Sequence, residues 1–192
     1  MVAASCPCRE ARIAERLLER SGIPAAMRGA RLEDFRPGPE TRLMLEAASR
    51  YLAEFDEIRR RDTPAKGLAL CGTVGAGKTM LACAVACELI RRRVPVAFVA
   101  TPDLMAELRA AQFSESPREL EEKVARLART EVCVFDDVAK EKPTEWVQTQ
   151  YFRIIDARWR NLLPTIITSN YGFEEIAARL GDAVASRLYA LT

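Results

Sequence analysis

Gly72, Gly77, Lys78 and Thr79 stand at the spacing Gly-x4-Gly-Lys-Thr, with a further glycine at Gly75. Such glycines let a backbone curl until successive N–H groups point into one concavity that Cβ atoms would crowd. An apolar run, Gly67–Cys71, leads in, and small residues follow from Met80 to about Ile90. A strand, a glycine turn and a helix N-terminus in that order make a phosphate-binding loop, or P-loop. The helix contributes unpaired N–H groups and a partial positive end. The predicted binding segment is therefore Gly72, Thr73, Val74, Gly75, Ala76, Gly77, Lys78, Thr79 and Met80. Lys78 would reach the β- and γ-phosphates of a nucleoside triphosphate, and the Thr79 hydroxyl would ligate Mg²⁺.

Two more strand ends carry polar residues suited to a triphosphate. Val132-Cys-Val-Phe runs into Asp136-Asp137, placing two acids at the tip of a hydrophobic strand. Asp136 is the candidate to hold Mg²⁺, directly or through its water, and Asp137 to orient or deprotonate an attacking water. Aspartate is one methylene shorter than the glutamate many ATPases use there, so slow turnover is expected. Thr165-Ile-Ile-Thr-Ser-Asn170 ends in an amide placed to contact the γ-phosphate or that water. Asn after a strand is also ordinary turn chemistry, so this residue alone is a weak signal.

The elements that must position these groups alternate. Apolar runs at Val94–Ala100, Val132–Phe135 and Pro164–Thr168 read as strands buried on both faces. Helical patterns cover Arg9–Arg20 and Glu40–Arg61, the latter with Leu43, Ala47, Tyr51, Phe55 and Ile58 as its apolar stripe. Others run from Thr101 or Asp103 to about Gln112, from Ser116-Pro117, over Glu145–Asn161, from Phe173 and from Asp182. The expected fold is α/β: a P-loop nucleoside triphosphatase with a parallel sheet flanked by helices, binding its ligand beyond the carboxyl ends of the strands. The expected division is 1–39, a short helical N-terminal extension, and 40–192, the nucleotide-binding core. Cys6-Pro-Cys8 in the extension supplies two thiols, too few to close a zinc site; it is half of a zinc ribbon or a pair of free thiols.

The composition sets bounds. The chain has 192 residues, 49% hydrophobic and 29% charged, as in a soluble globular protein with one main domain. A formal net charge of +2 argues neither for nor against a polyanionic partner. With no His in the chain, His-based catalysis and His-containing metal sites are excluded. Cys71, Cys83, Cys87 and Cys133 sit in apolar segments, which together with a nucleotide site points to a reducing, cytoplasmic compartment. No secretory signal and no membrane-spanning run is legible.

Several segments together resemble a family. Gly72–Thr79, Asp136-Asp137, Lys140-Glu-Lys-Pro-Thr-Glu-Trp146, Thr168-Ser-Asn170 and Gly181-Asp-Ala-Val-Ala-Ser-Arg187-Leu look like the AAA+ ATPases of the DnaC/IstB helicase-loader type. Ser21-Gly-Ile-Pro24 and Arg31-Leu-Glu-Asp-Phe35 are similar to it as well. The resemblance implies that Lys78 and Thr79 are the Walker A pair, Asp136 and Asp137 the Walker B acids, and Asn170 sensor 1. It also implies that Arg187 is a finger completing a neighbouring subunit's site. Ala139 stands where the family usually has Gly, which would stiffen that loop. The family's fifth strand, helical lid and sensor 2 arginine find no match before Thr192, and without that strand the sheet edge beside the P-loop would be bare. The implied cofactors are ATP and Mg²⁺. The implied partners are a hexameric helicase or a transposase, single-stranded DNA, and further copies of the chain sharing an ATP site. Relatives contact DNA through the segment here at Pro102–Arg129, whose basic residues are Arg109, Arg118, Lys123, Arg126 and Arg129. It also holds Glu107, Glu115, Glu119, Glu121 and Glu122, so an ordinary solvated helical face competes with that reading.

The leading expectation is a slow ATPase, stimulated by assembly or DNA, acting on a replicative helicase. A transposition helper would use the same chemistry. A small-molecule P-loop kinase and a nucleotide-gated interaction module are expectations of other classes. Phosphate transfer to a small acceptor would mark the kinase, and binding without hydrolysis the module.

Overall fold

The computed structural model describes residues 7–39, 41–112 and 117–192. Helix α1 (Pro7–Arg20) is followed by two short 3-10 turns, Ala25–Met27 and Leu32–Asp34, and by α2 (Arg42–Ile58). Then come β1 (Leu68–Cys71), α3 (Lys78–Arg91), β2 (Val96–Ala100), α4 (Thr101–Gln112) and α5 (Pro117–Arg129). The chain continues through β3 (Val132–Asp136), α6 (Glu145–Arg160), β4 (Thr165–Ser169), α7 (Phe173–Leu180) and α8 (Asp182–Leu191). The strands form one parallel sheet in the order β1-β4-β3-β2, so β1 lies at an edge. The expected strands and helices are all present, within a few residues of their predicted ends. The Cys6-Pro-Cys8 reading rests on Cys6, which lies outside the described residues.

The period of two along each strand divides the core in two. Leu68, Leu70, Val132, Val134 and Ile166 face a layer built from α2 and α3. Cys133, Phe135 and Ile167 face the opposite layer, with Leu104, Leu127, Tyr151, Ile155, Ile176 and Leu188. Helix α3 is buried nearly all round, from Leu81 to Ile90, because alanines and cysteines let it lie close to the sheet. On α2 the buried residues are Ala48, Tyr51, Leu52, Phe55 and Ile58. Leu43, expected in that stripe, is 74% exposed, since the same turn packs on the core through Met44 and Leu45 and leaves Leu43 facing solvent.

The N-terminal segment packs on the α2–α3 layer. Ile23 is fully buried there, and the Phe98 N–H on β2 donates to the Ser21 carbonyl at 2.6 Å. At the amino ends of β3 and β4, Arg158 on α6 is completely buried. Its Nε donates to Thr165 Oγ1, and its terminal nitrogens to the carbonyls of Leu127, Thr130, Glu131 and Pro164, at 2.6–3.3 Å. That one side chain ties the end of α5 to the starts of β3 and β4.

Candidate functional site

The register brings the predicted polar tips together. Phe135 on β3 pairs with Ile167 on β4, and Leu70 and Cys71 on β1 pair with Thr168 and Ser169. Asp136, Thr168 and the entrance to the glycine loop therefore lie side by side. The N–H of Gly72 donates to the Ser169 carbonyl at 3.1 Å, fixing where the loop leaves the sheet. Gly75 and Gly77 have φ of +82° and +79°, which residues with a Cβ adopt only at a cost. The N–H groups of Val74, Gly75 and Gly77 find no acceptor among the described residues. They remain available to an anion at the N-terminus of α3.

Lys78 opens α3, and its buried ammonium donates to the carbonyls of Gly72 and Thr73 at 2.9 and 2.7 Å. Burial pulls its pKa below the ordinary lysine value, and the nearby Asp137 and Asp136 carboxylates oppose that shift. The next residue faces the acids: Thr79 Oγ1 donates to Asp136 Oδ1 at 2.9 Å and lies 3.2 Å from Oδ2. Thr168 Oγ1 donates to the same Oδ1 at 2.6 Å. Burial raises the Asp136 pKa, the hydrogen bonds from Thr168 and Thr79 counter it, and Asp137 adds to the rise. A threonine hydroxyl and a carboxylate in contact offer hard oxygen ligands, the donor set that suits Mg²⁺. The residues present thus fit both a phosphate chain and its metal ion.

Asp137 turns out of the strand with φ +59°, and Ala139 follows with φ +66°. The Asp137 N–H donates to Thr168 Oγ1, and its carbonyl accepts from Thr101 Oγ1, both at 2.9 Å. Thr101 therefore spends its hydroxyl on the acid tip instead of capping α4. The Asp137 carboxylate makes an ion pair with Lys140 at 2.7 Å, a partner that sequence reasoning missed. Asn170 is half-buried just past β4, and its amide makes no hydrogen bond among the described residues. Met80 is half-buried in the first turn of α3.

Arg187 is not gathered into this cluster. It sits on α8, anchored by the buried Val184 and Leu188, with its Nε 3.1 Å from Asp156 Oδ1 and its guanidinium 3.9 Å above the Trp159 ring. About one third of the side chain is exposed, and its terminal nitrogens bond to nothing among the described residues. In the α4–α5 segment, Lys123 pairs with Glu107, Arg118 with Glu122 at 2.9 Å, and Arg109 lies over the Trp146 ring at 5.1 Å.

Two clefts escaped the sequence reading. One, of about 390 Å³, lies between the loop glycines and the N-terminal segment, lined by Phe35, Arg36, Pro39, Thr41, Gly75 and Gly77. The Phe35 ring rests on Gly77, where an added Cβ would come within 2.5 Å of it. Its sequence signal was the segment Arg31-Leu-Glu-Asp-Phe35, which ends at that ring. The other, of about 610 Å³ and mainly apolar, runs between α4 and the 141–147 segment, with Arg109 and Lys142 among its lining.

The arrangement resembles known proteins in sequence and in shape. DnaC, named as a replicative helicase loader of Escherichia coli, is 26% identical over 175 residues, covering 91% of this chain and 69% of its own. A Geobacillus stearothermophilus ATP-binding protein of insertion sequence IS5376 is 31% identical over 113 residues, 59% of this chain and 43% of its own. The crystal structure of DnaI superposes with a TM-score of 0.73 at 27% identity, covering 89% of this chain and 92% of that one. The family of IstB-like ATP binding proteins matches residues 2–189. With a parallel AAA+-type sheet and a phosphate loop at its strand tips, the chain belongs to the family of IstB-like ATP-binding proteins.

Proposed function

We propose that the protein binds ATP with Mg²⁺ and hydrolyses it to drive assembly with a replicative helicase on single-stranded DNA. The observation that carries this reading is the Thr79–Asp136 contact, which joins the phosphate loop to the acid strand beside a buried Lys78. The loop N–H groups and Lys78 bind the phosphates, and the cleft at Phe35 receives the nucleoside. Thr79 and Asp136 hold Mg²⁺, which when bound neutralises charge on the phosphates. Asp137 accepts the proton of a water whose oxygen attacks the γ-phosphorus, as the bond to the bridging oxygen breaks and ADP leaves. Asn170, with its amide uncommitted, aligns that water or the γ-phosphate. The groove between α4 and the 141–147 segment takes nucleic acid, with Arg109 and Lys142 meeting phosphates; Arg118 and Lys123, already paired, belong to the solvated surface. A transposase in place of the helicase uses the same chemistry, and the insertion-sequence relative favours keeping it as the second reading.

Arg187 acts on a neighbouring copy. Braced by Trp159 and Asp156, it keeps its terminal nitrogens for phosphoryl oxygens, a contribution worth on the order of 10³–10⁵ in rate where such fingers operate. Specific ATPase activity should therefore climb with protein concentration. Arg187→Ala should hold ATP within a few-fold of natural affinity yet lose the climb. Adding Lys78→Ala protein, empty itself but with Arg187 intact, should restore part of the hydrolysis. Activity indifferent to both concentration and Arg187→Ala would reject the shared site.

A further inference from the structure

The ion pair between Lys140 and Asp137 is built from both ends. Asp137 is fixed through its backbone: Thr168 accepts its N–H, and Thr101 and the Lys140 N–H share its carbonyl. Lys140 is bracketed in the same way. On either side of it, the carbonyls of Ala139 and Glu141 accept from Arg179 of α7, at 2.6 and 3.0 Å. The Tyr151 hydroxyl accepts the Ala139 N–H and lies 3.1 Å from both oxygens of Glu141. With both backbones held, only two side chains are free to choose partners, and they choose each other at 2.7 Å.

We propose that Lys140 is a positioning residue that restrains Asp137 and keeps hydrolysis slow until nucleic acid in the α4 groove draws its ammonium away. This rests on the assignment of Asp137 as the group that takes the water's proton. The ammonium commits one carboxylate oxygen and the rotamer of that side chain, so an attacking water must compete for it. Two positions along, Lys142 lines the groove together with Glu141 and Thr144. Phosphates of a strand bound there compete with Asp137 for the nearby Lys140 side chain while the backbone stays held, which couples the groove to the acid. The pair is half-exposed, with Lys140 at 55% and Asp137 at 25%, and pairs of that kind are weak. The restraint is therefore modest, about two- to five-fold in rate, and is released without unfolding anything.

The test is steady-state ATPase kinetics with and without a single-stranded oligonucleotide. Lys140→Met should raise kcat in the absence of DNA about two- to five-fold, leave KM unchanged, and shrink stimulation by DNA by the same factor. Lys140→Arg, which restores a cation at that reach, should return both values towards those of the natural protein. An unchanged or lowered kcat in Lys140→Met, with an unaltered thermal midpoint, would overturn the restraint. Asp137→Asn separates this from the underlying assignment. Loss of turnover with ATP binding retained upholds the role of Asp137 whatever Lys140 does, and persistent turnover overturns that role itself.

Discussion

Arg158 lies at the amino ends of β3 and β4, and Lys78 beyond the carboxyl end of β1; both cations are buried. Arg158 gives hydrogen bonds to five fixed oxygens, from Thr165, Leu127, Thr130, Glu131 and Pro164, with no carboxylate among them. Burial lowers its pKa, but a guanidinium starts so high that it stays charged. Lys78 has two partners, both carbonyls of the glycine loop that a phosphate would displace. One end of the sheet is saturated and rigid, whereas the other keeps donors, strained backbone and an exchangeable cation. Stability and ligand chemistry are thus assigned to opposite ends of the same strands.

The contrast can be broken hardest at Arg158. Arg158→Met removes every donor at once and orphans carbonyls that water cannot reach, so a loss of about 3–5 kcal/mol is expected. Urea unfolding measures it, and a loss below about 1 kcal/mol would mean the network relaxes freely. Lys78→Met sharpens the other side: folding stability should stay within about 1 kcal/mol, because the lost hydrogen bonds are offset by sparing a desolvated ammonium. Fluorescent nucleotide titration of that variant should find most affinity gone; retained binding would reassign the loop.

The smallest change concerns Asp136. Its folded pKa is raised, so burying the charged form costs stability at neutral pH. The natural protein should therefore gain stability as pH falls from neutral through that raised pKa towards the ordinary carboxylate value, provided other carboxylates are allowed for by difference. Asp136→Asn keeps an oxygen for Thr79 and Thr168, should be more stable at pH 7 by on the order of 1 kcal/mol, and should lack this component. Equal pH profiles for the two proteins would show that the two threonines already compensate the burial.

What could be read in the sequence was what depends on local pattern. Gly-x4-Gly-Lys-Thr and the apolar runs need only neighbours along the chain, and they located the loop, the strands and the tip of β3 at Asp136. The five bonds of Arg158 and the seat of Phe35 on Gly77 depend on where side chains from distant segments finish, and the Lys140–Asp137 pair, only three residues apart, depends on the left-handed turn at Asp137 and Ala139. Spacing carries no trace of them. Leu43 failed for another reason: with Leu43, Met44 and Leu45 all apolar, the helical period does not decide which of them faces the core, and Met44 and Leu45 do. Ala139 is an intermediate case: the resemblance expects Gly there, and φ of +66° supplies the reason, since the backbone is left-handed with or without the glycine.

The position of β1 has a consequence for how the molecule is made. Its hydrogen-bonded neighbour in the sheet is β4, whose first residue is Thr165, although the loop that β1 feeds is finished by Thr79. A ribosome therefore releases the phosphate loop long before the strand that steadies it. Until Ser169 emerges to hold the Gly72 N–H, the curled segment has no fixed exit from a sheet. Such pairing between distant segments is the slow kind, because loop closure must precede the contacts that reward it. The nucleotide site consequently cannot be completed during synthesis until β4 has emerged, about ninety residues after the loop itself.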